Sequence, residues 1–221
     1  MILRLSLLSF VLLHGGILLA GDYKLATVDA APEGLADDIA AKLDGQAYRL
    51  SGPDGALFDL WLLEELETKD GFAPTFMVKY PFAPGQLIGA LVVPDGADFK
   101  DFRGQDIAPG AYTLRYGLQP EDGNHIGTSE VSDFLLALPA GGDKSVNAIG
   151  DSDALSEKSA KSVGTTHPAI FSLLPAEEPV EGGTLSHDED HDYWILNIVG
   201  NRGDESKHVP MRVIAIGEAE V

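Results

Sequence analysis

The feature that most limits the fold is a series of short apolar segments separated by turns rich in glycine and proline. In the clearest segment, residues 111–118, Tyr112, Leu114, Tyr116 and Leu118 alternate with small or polar residues. Alternation at every second residue is typical of a β-strand, whose side chains point to opposite faces. We therefore predict a strand with one apolar face and one largely polar face.

Seven further segments are similar short runs that are rich in apolar residues. They are residues 46–50, 56–63, 87–93, 134–138, 170–174, 193–199 and 211–216. The turn signal Pro53-Asp54-Gly55 would join the first two as an antiparallel hairpin. Several segments are apolar on both faces, which favours a position between two packed layers.

Two segments have helical spacing, 35–43 and 153–163, and the second has Asp151 or Ser152 as its cap. Strands without long alternating helices predict a mainly β protein, an antiparallel β-sandwich of jelly-roll or immunoglobulin-like type with one or two short peripheral helices. We expect a flexible terminus over 21–33 and a single domain over 34–221. The polar stretch 141–165 would form a loop and helix insertion in that domain.

The first 20 residues have the composition of a secretory signal peptide. Arg4 gives a positive start, residues 5–19 are mostly apolar, and Ala20 would precede the cleavage site. This apolar run is shorter than the roughly 20 residues of a spanning helix, so we expect cleavage and no later membrane insertion. The predicted location is periplasmic or secreted.

Charge and cysteine content exclude several classes of function. The net charge of −20 disfavours contact with nucleic acid and anionic lipid. The chain has no cysteine, which excludes disulfides, iron–sulfur clusters and a thiol nucleophile. An envelope protein or polysaccharide is the expected partner.

Ligand-type side chains concentrate between residues 186 and 192, immediately before the segment 193–199. His187, Asp188, Asp190 and His191 belong to this acidic stretch, and a mixture of imidazole and carboxylate would suit a transition metal. The zincin motif is absent because Asp replaces its Glu and no helix is predicted. The alternative is a solvated acidic loop that protects a strand edge from association.

His125 and His167 are two further candidate ligands for the same metal. His125 follows a glycine-punctuated turn, and His167 precedes Pro168 and the segment 170–174. They would join His187 and His191 if their loops met at one end of the fold. Otherwise, His125 would hydrogen-bond the backbone of its own loop.

Aromatic residues on the predicted strands suggest a third kind of site, a platform for sugars. Trp194 shares a face with Leu196 and Ile198, however, and Tyr112 shares one with Leu114. This alternation favours positions in the core. Alternation does not show as clearly whether Trp61 lies in the core, because Asp59 is on the same face.

Three stretches resemble segments of a family of uncharacterised exported bacterial proteins, a domain of unknown function. They are 109–140, reading PGAYTLRYGLQPEDGNHIGTSEVSDFLLALPA, with Thr166-His167-Pro168-Ala169 and the stretch 80–85. The resemblance implies a bacterial envelope protein and brings no catalytic or binding residues. We expect a non-catalytic binding or structural module without a cofactor. The alternatives are a transition-metal protein or metal-dependent enzyme that uses the loop histidines, and a carbohydrate-binding module.

Overall fold

A computed structural model describes residues 23–120, 129, 131–176, 183–202 and 208–219 of the 221-residue chain. These residues form a mainly β protein with one antiparallel sheet of ten strands. The strands are β1 (Lys24–Val28), β2 (Ala47–Gly52), β3 (Gly55–Leu62), β4 (Leu87–Val93), β5 (Gly110–Leu118), β6 (Asp133–Pro139), β7 (Ala169–Leu174), β8 (Thr184–Asp188), β9 (Tyr193–Asn201) and β10 (His208–Ile216). Each predicted strand is confirmed, with its ends shifted by up to three residues. The predicted hairpin is also confirmed, because β2 and β3 pair antiparallel across the turn at Pro53 and Asp54.

Consecutive strands are neighbours from β1 to β7, and β10, β9 and β8 then follow in that order. This meander differs from the Greek-key order of jelly-roll and immunoglobulin folds. β10 joins β7 through two residue pairs, Arg212 with Leu174 and Val213 with Leu173. The outer strands β1 and β8 approach each other, so the sheet is nearly closed into a barrel.

The nearly closed sheet has two ends, which differ in the loops that they carry. We call one the hairpin end, because the β2–β3 and β8–β9 turns lie there with the loops after β4 and β6. We call the other the groove end. It carries the long 63–86 loop between β3 and β4, the start of β10 and the chain beyond β7 and β9.

The interior of the sheet holds the main hydrophobic core. Tyr112, Leu114 and Tyr116 point into it, as the alternation in β5 predicts. The opposite face of β5, predicted to be largely polar, is also buried. Thr113 and Arg115 are fully buried there, because the chain from residue 140 to 160 crosses the outside of β5 and β6.

Two short helices accompany the sheet, as predicted. α1 (Asp37–Ala40) occupies the middle of the predicted helix, and Ile39 is its buried residue. α2 (Ser152–Ala160) begins at the predicted cap, where the Asp151 side chain accepts hydrogen bonds from the N–H groups of residues 153 and 154. A 3-10 helix, Ala140–Gly142, precedes α2. Within the described ranges, neither α-helix has the length and apolar character of a membrane span.

Two strands were not predicted, and both lie beside the gap in the sheet. β1 falls in the segment 21–33, so the expectation of a flexible terminus is wrong for Lys24–Val28, which pairs with β2 along its whole length. β8 includes Ser186, His187 and Asp188, which were predicted to lie in a loop. The predicted signal peptide lies outside the described residues.

Candidate binding sites

The acidic histidine stretch forms the end of the β8–β9 hairpin. His187 and Asp188 end β8, and residues 189–192 turn the chain into β9. Asp192 closes this turn with a positive φ of 54°, a conformation that Asp tolerates better than most residues. His187 and Trp194 are directly opposite each other in the hairpin, so sheet register fixes their contact.

Each hairpin histidine has its own carboxylate and its own aromatic ring. His187 Nε2 lies 2.8 Å from Asp192 Oδ1, and its ring stacks on Trp194 with centroids 4.4 Å apart. His191 Nδ1 lies 3.0 Å from Asp188 Oδ2, and its ring stacks on Tyr193 at 5.4 Å. The hydrogen bond from His191 lowers the pKa of the Asp188 carboxyl.

These separate pairs do not assemble the predicted metal ligands into one cluster. No group of three His, Cys, Asp or Glu side chains within the described ranges is arranged to hold a metal ion. The Asp190 N–H donates to Asp188 Oδ1. His167 lies in the loop before β7, also at the hairpin end, where its backbone bonds the Thr165 hydroxyl. His125 lies outside the described residues, so the metal site stays a prediction.

Trp61 and Tyr112 are buried, as the alternation indicates for Tyr112. The indole Nε1 of Trp61 donates to the Ala30 carbonyl at 3.1 Å, which removes this ring from any sugar platform. Trp194 is half-buried rather than fully buried, because it lies at the gap between β1 and β8. Tyr23 packs edge-on against it at 5.1 Å, and His187 covers one of its faces.

Sequence patterns did not reveal the buried carboxylates, which hold loops in place. Asp133 is fully buried at the groove end, where it accepts hydrogen bonds from the N–H groups of Lys79 and Tyr80 at 2.8 and 3.2 Å. The Tyr116 hydroxyl donates to Asp133 at 2.5 Å. Desolvation by burial raises the pKa values of Asp133 and Tyr116.

A second buried carboxylate, Asp143, forms an ion pair with Arg115. The guanidinium Nε lies 2.6 Å from Asp143 Oδ2, and the two side chains are 0% and 4% exposed. Thr113 also donates to Asp143, and Arg115 donates further to the carbonyls of residues 85, 145 and 147. These bonds fix the crossing chain to the outside of β5.

Asp101 is the third buried carboxylate, and it organises the loop after β4. It accepts bonds from the N–H groups of Arg103, Gln105 and Ile170, and from the Gln105 side chain. Desolvation by burial raises its pKa. Strand alternation does not predict these carboxylates, because Asp133 and Asp143 bond groups far along the chain and Asp101 lies in a loop.

A cleft of about 770 Å³ opens at the hairpin end between the β2–β3 turn, the 94–98 turn and the end of β10. Its carboxylates are those of Asp54, Asp95, Asp98 and Glu218. Lys100 lies 3.6 Å from Glu218, and Tyr23 closes one side. Burial and the charge of the nearby aspartates raise the pKa of the Tyr23 phenol. The cleft is therefore acidic.

A second groove, of about 370 Å³, opens at the groove end, and we call it the basic groove. Its basic side chains are Lys69, Lys79, Arg202 and His208, and one carboxylate, Asp70, lines it among the described residues. Flat or rigid rings also line it, those of Phe72, Pro74, Tyr80, Pro81 and Pro210. This groove joins residues more than 130 positions apart in the sequence, so no local motif predicts it.

Comparisons with protein-family models, curated proteins and solved structures found no match to this chain. The resemblance to exported bacterial proteins therefore stays a prediction.

Proposed function

We propose that this chain is a non-catalytic binding module of the bacterial cell envelope. The observation that carries the proposal is the hydrogen bonding of three buried carboxylates, Asp101, Asp133 and Asp143. Each joins a loop to the sheet through several hydrogen bonds. Asp101 and Asp143 lie in loops and bond β7 and β5, and Asp133 on β6 accepts from the N–H groups of the 63–86 loop. A carboxylate whose oxygens are occupied in this way stabilises a fixed loop conformation rather than transferring protons to a substrate.

Fixed loops around a groove are what a binding protein requires. Ordering a loop during binding costs free energy, so loops that are already anchored leave more of the contact energy for affinity. Loops on a rigid sheet are also the usual carriers of binding residues. We infer export to the envelope from the predicted signal peptide, and the absence of cysteine is compatible with that compartment.

We also infer that the nearly closed sheet behaves as two facing layers, in agreement with the sandwich expected from the sequence. The short join between β7 and β10 supports this inference, because two residue pairs hold the β8–β10 layer to the rest along that edge. Apolar residues of both layers would then fill one shared core.

Cosedimentation tests the proposed function directly. Purified protein covering residues 21–221 is mixed with envelope polysaccharide, cell-wall sacculi and membrane vesicles, and each pellet is assayed for the protein. We expect binding to one fraction and no release of soluble fragments from it. Fragment release would overturn the non-catalytic assignment, and no binding to any fraction would overturn the binding assignment. Serum albumin, another acidic protein, is the control for nonspecific retention.

Transition-metal binding is the second candidate, and the hairpin histidines are the observation that favours it. A carboxylate orients each imidazole, as carboxylates commonly do for histidines that bind zinc. Metal analysis of the purified protein and melting curves with and without chelator test this candidate. Bound metal with a lower melting temperature after chelation would support it, and an unchanged melt without metal would remove it.

A further inference from the structure

We propose that the basic groove binds a sugar chain that carries carboxylate groups. This inference rests on the proposed binding function and names its ligand class. Three observations support it: the charge of the groove, the rings beside those charges, and the anchoring of its walls.

The charge of the groove differs from that of the protein as a whole. The chain has 35 acidic and 15 basic residues, yet the described residues that line this groove include three Lys and Arg side chains and one His but one Asp. Among the described residues, Lys69 and Arg202 take part in no ion pair, whereas Arg49, Lys100 and Arg115 each have a carboxylate partner. Neighbouring cations without partners repel each other, and a bound anion would relieve that repulsion.

Aromatic and proline rings next to these charges indicate a ligand in which the anionic group is attached to an organic ring. Phe72, Pro74 and Pro210 present apolar surface to the groove, which a small inorganic anion would leave unused. A sugar ring has apolar C–H faces, and aromatic and proline rings can cover them while its charged group meets a lysine or arginine. We choose a carboxylate as the charged group because the guanidinium of Arg202 can bind it through two parallel hydrogen bonds. Comparison with a sugar phosphate tests this choice.

Hydrogen bonds fix the walls of the groove before any ligand arrives. Asp133 holds the backbone of Lys79, and Lys79 Nζ donates to the Thr75 carbonyl at 2.8 Å. The Lys69 N–H donates to the Pro81 carbonyl at 2.8 Å, which joins the two sides of the 63–86 loop. The ligand would therefore meet a preformed site.

Calorimetric titration with the trimer of galacturonic acid tests the proposal on the protein covering residues 21–221. Neutral galactose trimer and galactose 6-phosphate are the comparison ligands. We expect binding of the acidic trimer, which weakens as salt increases, and much weaker binding of the other two. Equal binding of the neutral trimer would overturn the role of charge, and stronger binding of the phosphate would overturn the choice of carboxylate.

Substitutions at exposed lysines and arginines locate the site without disturbing the core. Lys69→Gln and Arg202→Gln should each weaken binding of the acidic trimer about tenfold, the typical effect of losing one charge-assisted hydrogen bond. Lys24→Gln and Lys161→Gln change the net charge equally but lie outside the groove, and they should leave the affinity within about twofold. Equal losses in all four variants would overturn the location.

The double variant Lys69→Gln, Arg202→Gln separates failure of this inference from failure of the proposed function. Loss of both trimer binding and envelope cosedimentation supports the groove as the site. Cosedimentation that the double variant retains would overturn the groove and leave the binding function standing. No cosedimentation of the unsubstituted protein would overturn both.

Discussion

At the scale of single residues, the buried Arg115–Asp143 pair links the two ends of the sheet. Arg115 lies on β5, Asp143 follows the 3-10 helix, and the guanidinium also binds the Gly85 carbonyl before β4. A charge pair without solvent contact needs such additional hydrogen bonds, because desolvation of both ions costs several kcal/mol. The pair therefore depends on every partner remaining in place.

Replacing Asp143 should cost much more stability than replacing a carboxylate in an exposed pair. Asp143→Ala leaves the Arg115 charge buried without its partner, and we expect a loss of about 3–5 kcal/mol in the free energy of unfolding. Asp59→Ala removes the partner of Arg49, which is 40% exposed, and we expect a loss of at most about 1 kcal/mol. Urea denaturation measures both values, and equal losses would contradict the prediction.

Asp133 should make folding stability depend on pH in the acidic range. Burial raises its folded-state pKa above the unfolded value of about 3.9, so the folded protein binds more protons between these two values. The free energy of unfolding should therefore fall as pH rises through that interval. Asp133→Asn removes this titration, so its stability relative to the unsubstituted protein should improve as pH rises above about 4.

Urea denaturation at three pH values in this range measures the difference. Leu118→Ala, a change without a titrating group at the same end, should keep the original pH dependence. If Asp133→Asn keeps that dependence as well, the carboxylate titrates alike in the folded and unfolded states and the prediction is wrong.

Residues of β5 differ in how well the sequence predicts their surroundings. Tyr112, Leu114 and Tyr116 could be assigned to the core because alternation along β5 is a local property. The burial of Arg115 could not be predicted in this way, because it depends on Asp143 and on the crossing chain, 28 residues away. The basic groove depends on side chains that only the folded sheet brings together.

At the scale of elements, the two strands that were missed have few buried residues. β1 and β8 have no fully buried residue, so their hydrophobic pattern is weak, while β4 and β6 are buried almost throughout. In addition, the acidic sequence of β8 resembles a loop. Pairing with β2 and β9 makes these segments strands although their own sequences predict them only weakly.

Close packing of β3 against β4 makes one glycine essential. A Cβ on Gly89 would lie 2.0 Å from the Trp61 carbonyl oxygen, and the backbone of β3 cannot move away without breaking the ladder. We expect Gly89→Ala to cost about 2–3 kcal/mol, a typical penalty for overpacking.

Gly141→Ala is the matched control, because a Cβ there would meet no atom within 4 Å. Its effect should stay within about 0.5 kcal/mol. Thermal or urea unfolding of the two variants provides the comparison. A Gly89→Ala protein as stable as the control would show that β3 and β4 separate more easily than the register suggests.

At the scale of the whole molecule, the gap between β1 and β8 interrupts an otherwise continuous hydrogen-bonded ring. Side chains bridge this gap at the hairpin end, where Tyr23, just before β1, packs against Trp194. A groove of about 610 Å³ follows the two edges, with Leu25 and Leu185 half-buried on either side. The sheet is therefore held together more weakly here than between its central strands.

Amide hydrogen exchange should reveal this difference in local stability. β5 and β6 are paired on both edges and buried along most of their length, so their amides should open only with global unfolding. Amides of β1 and β8 need only local opening, and we expect at least about tenfold faster exchange for them. Equal protection in all four strands would mean that β1 and β8 bond each other directly and close the sheet, because an unpaired edge leaves its outward amides accessible to water.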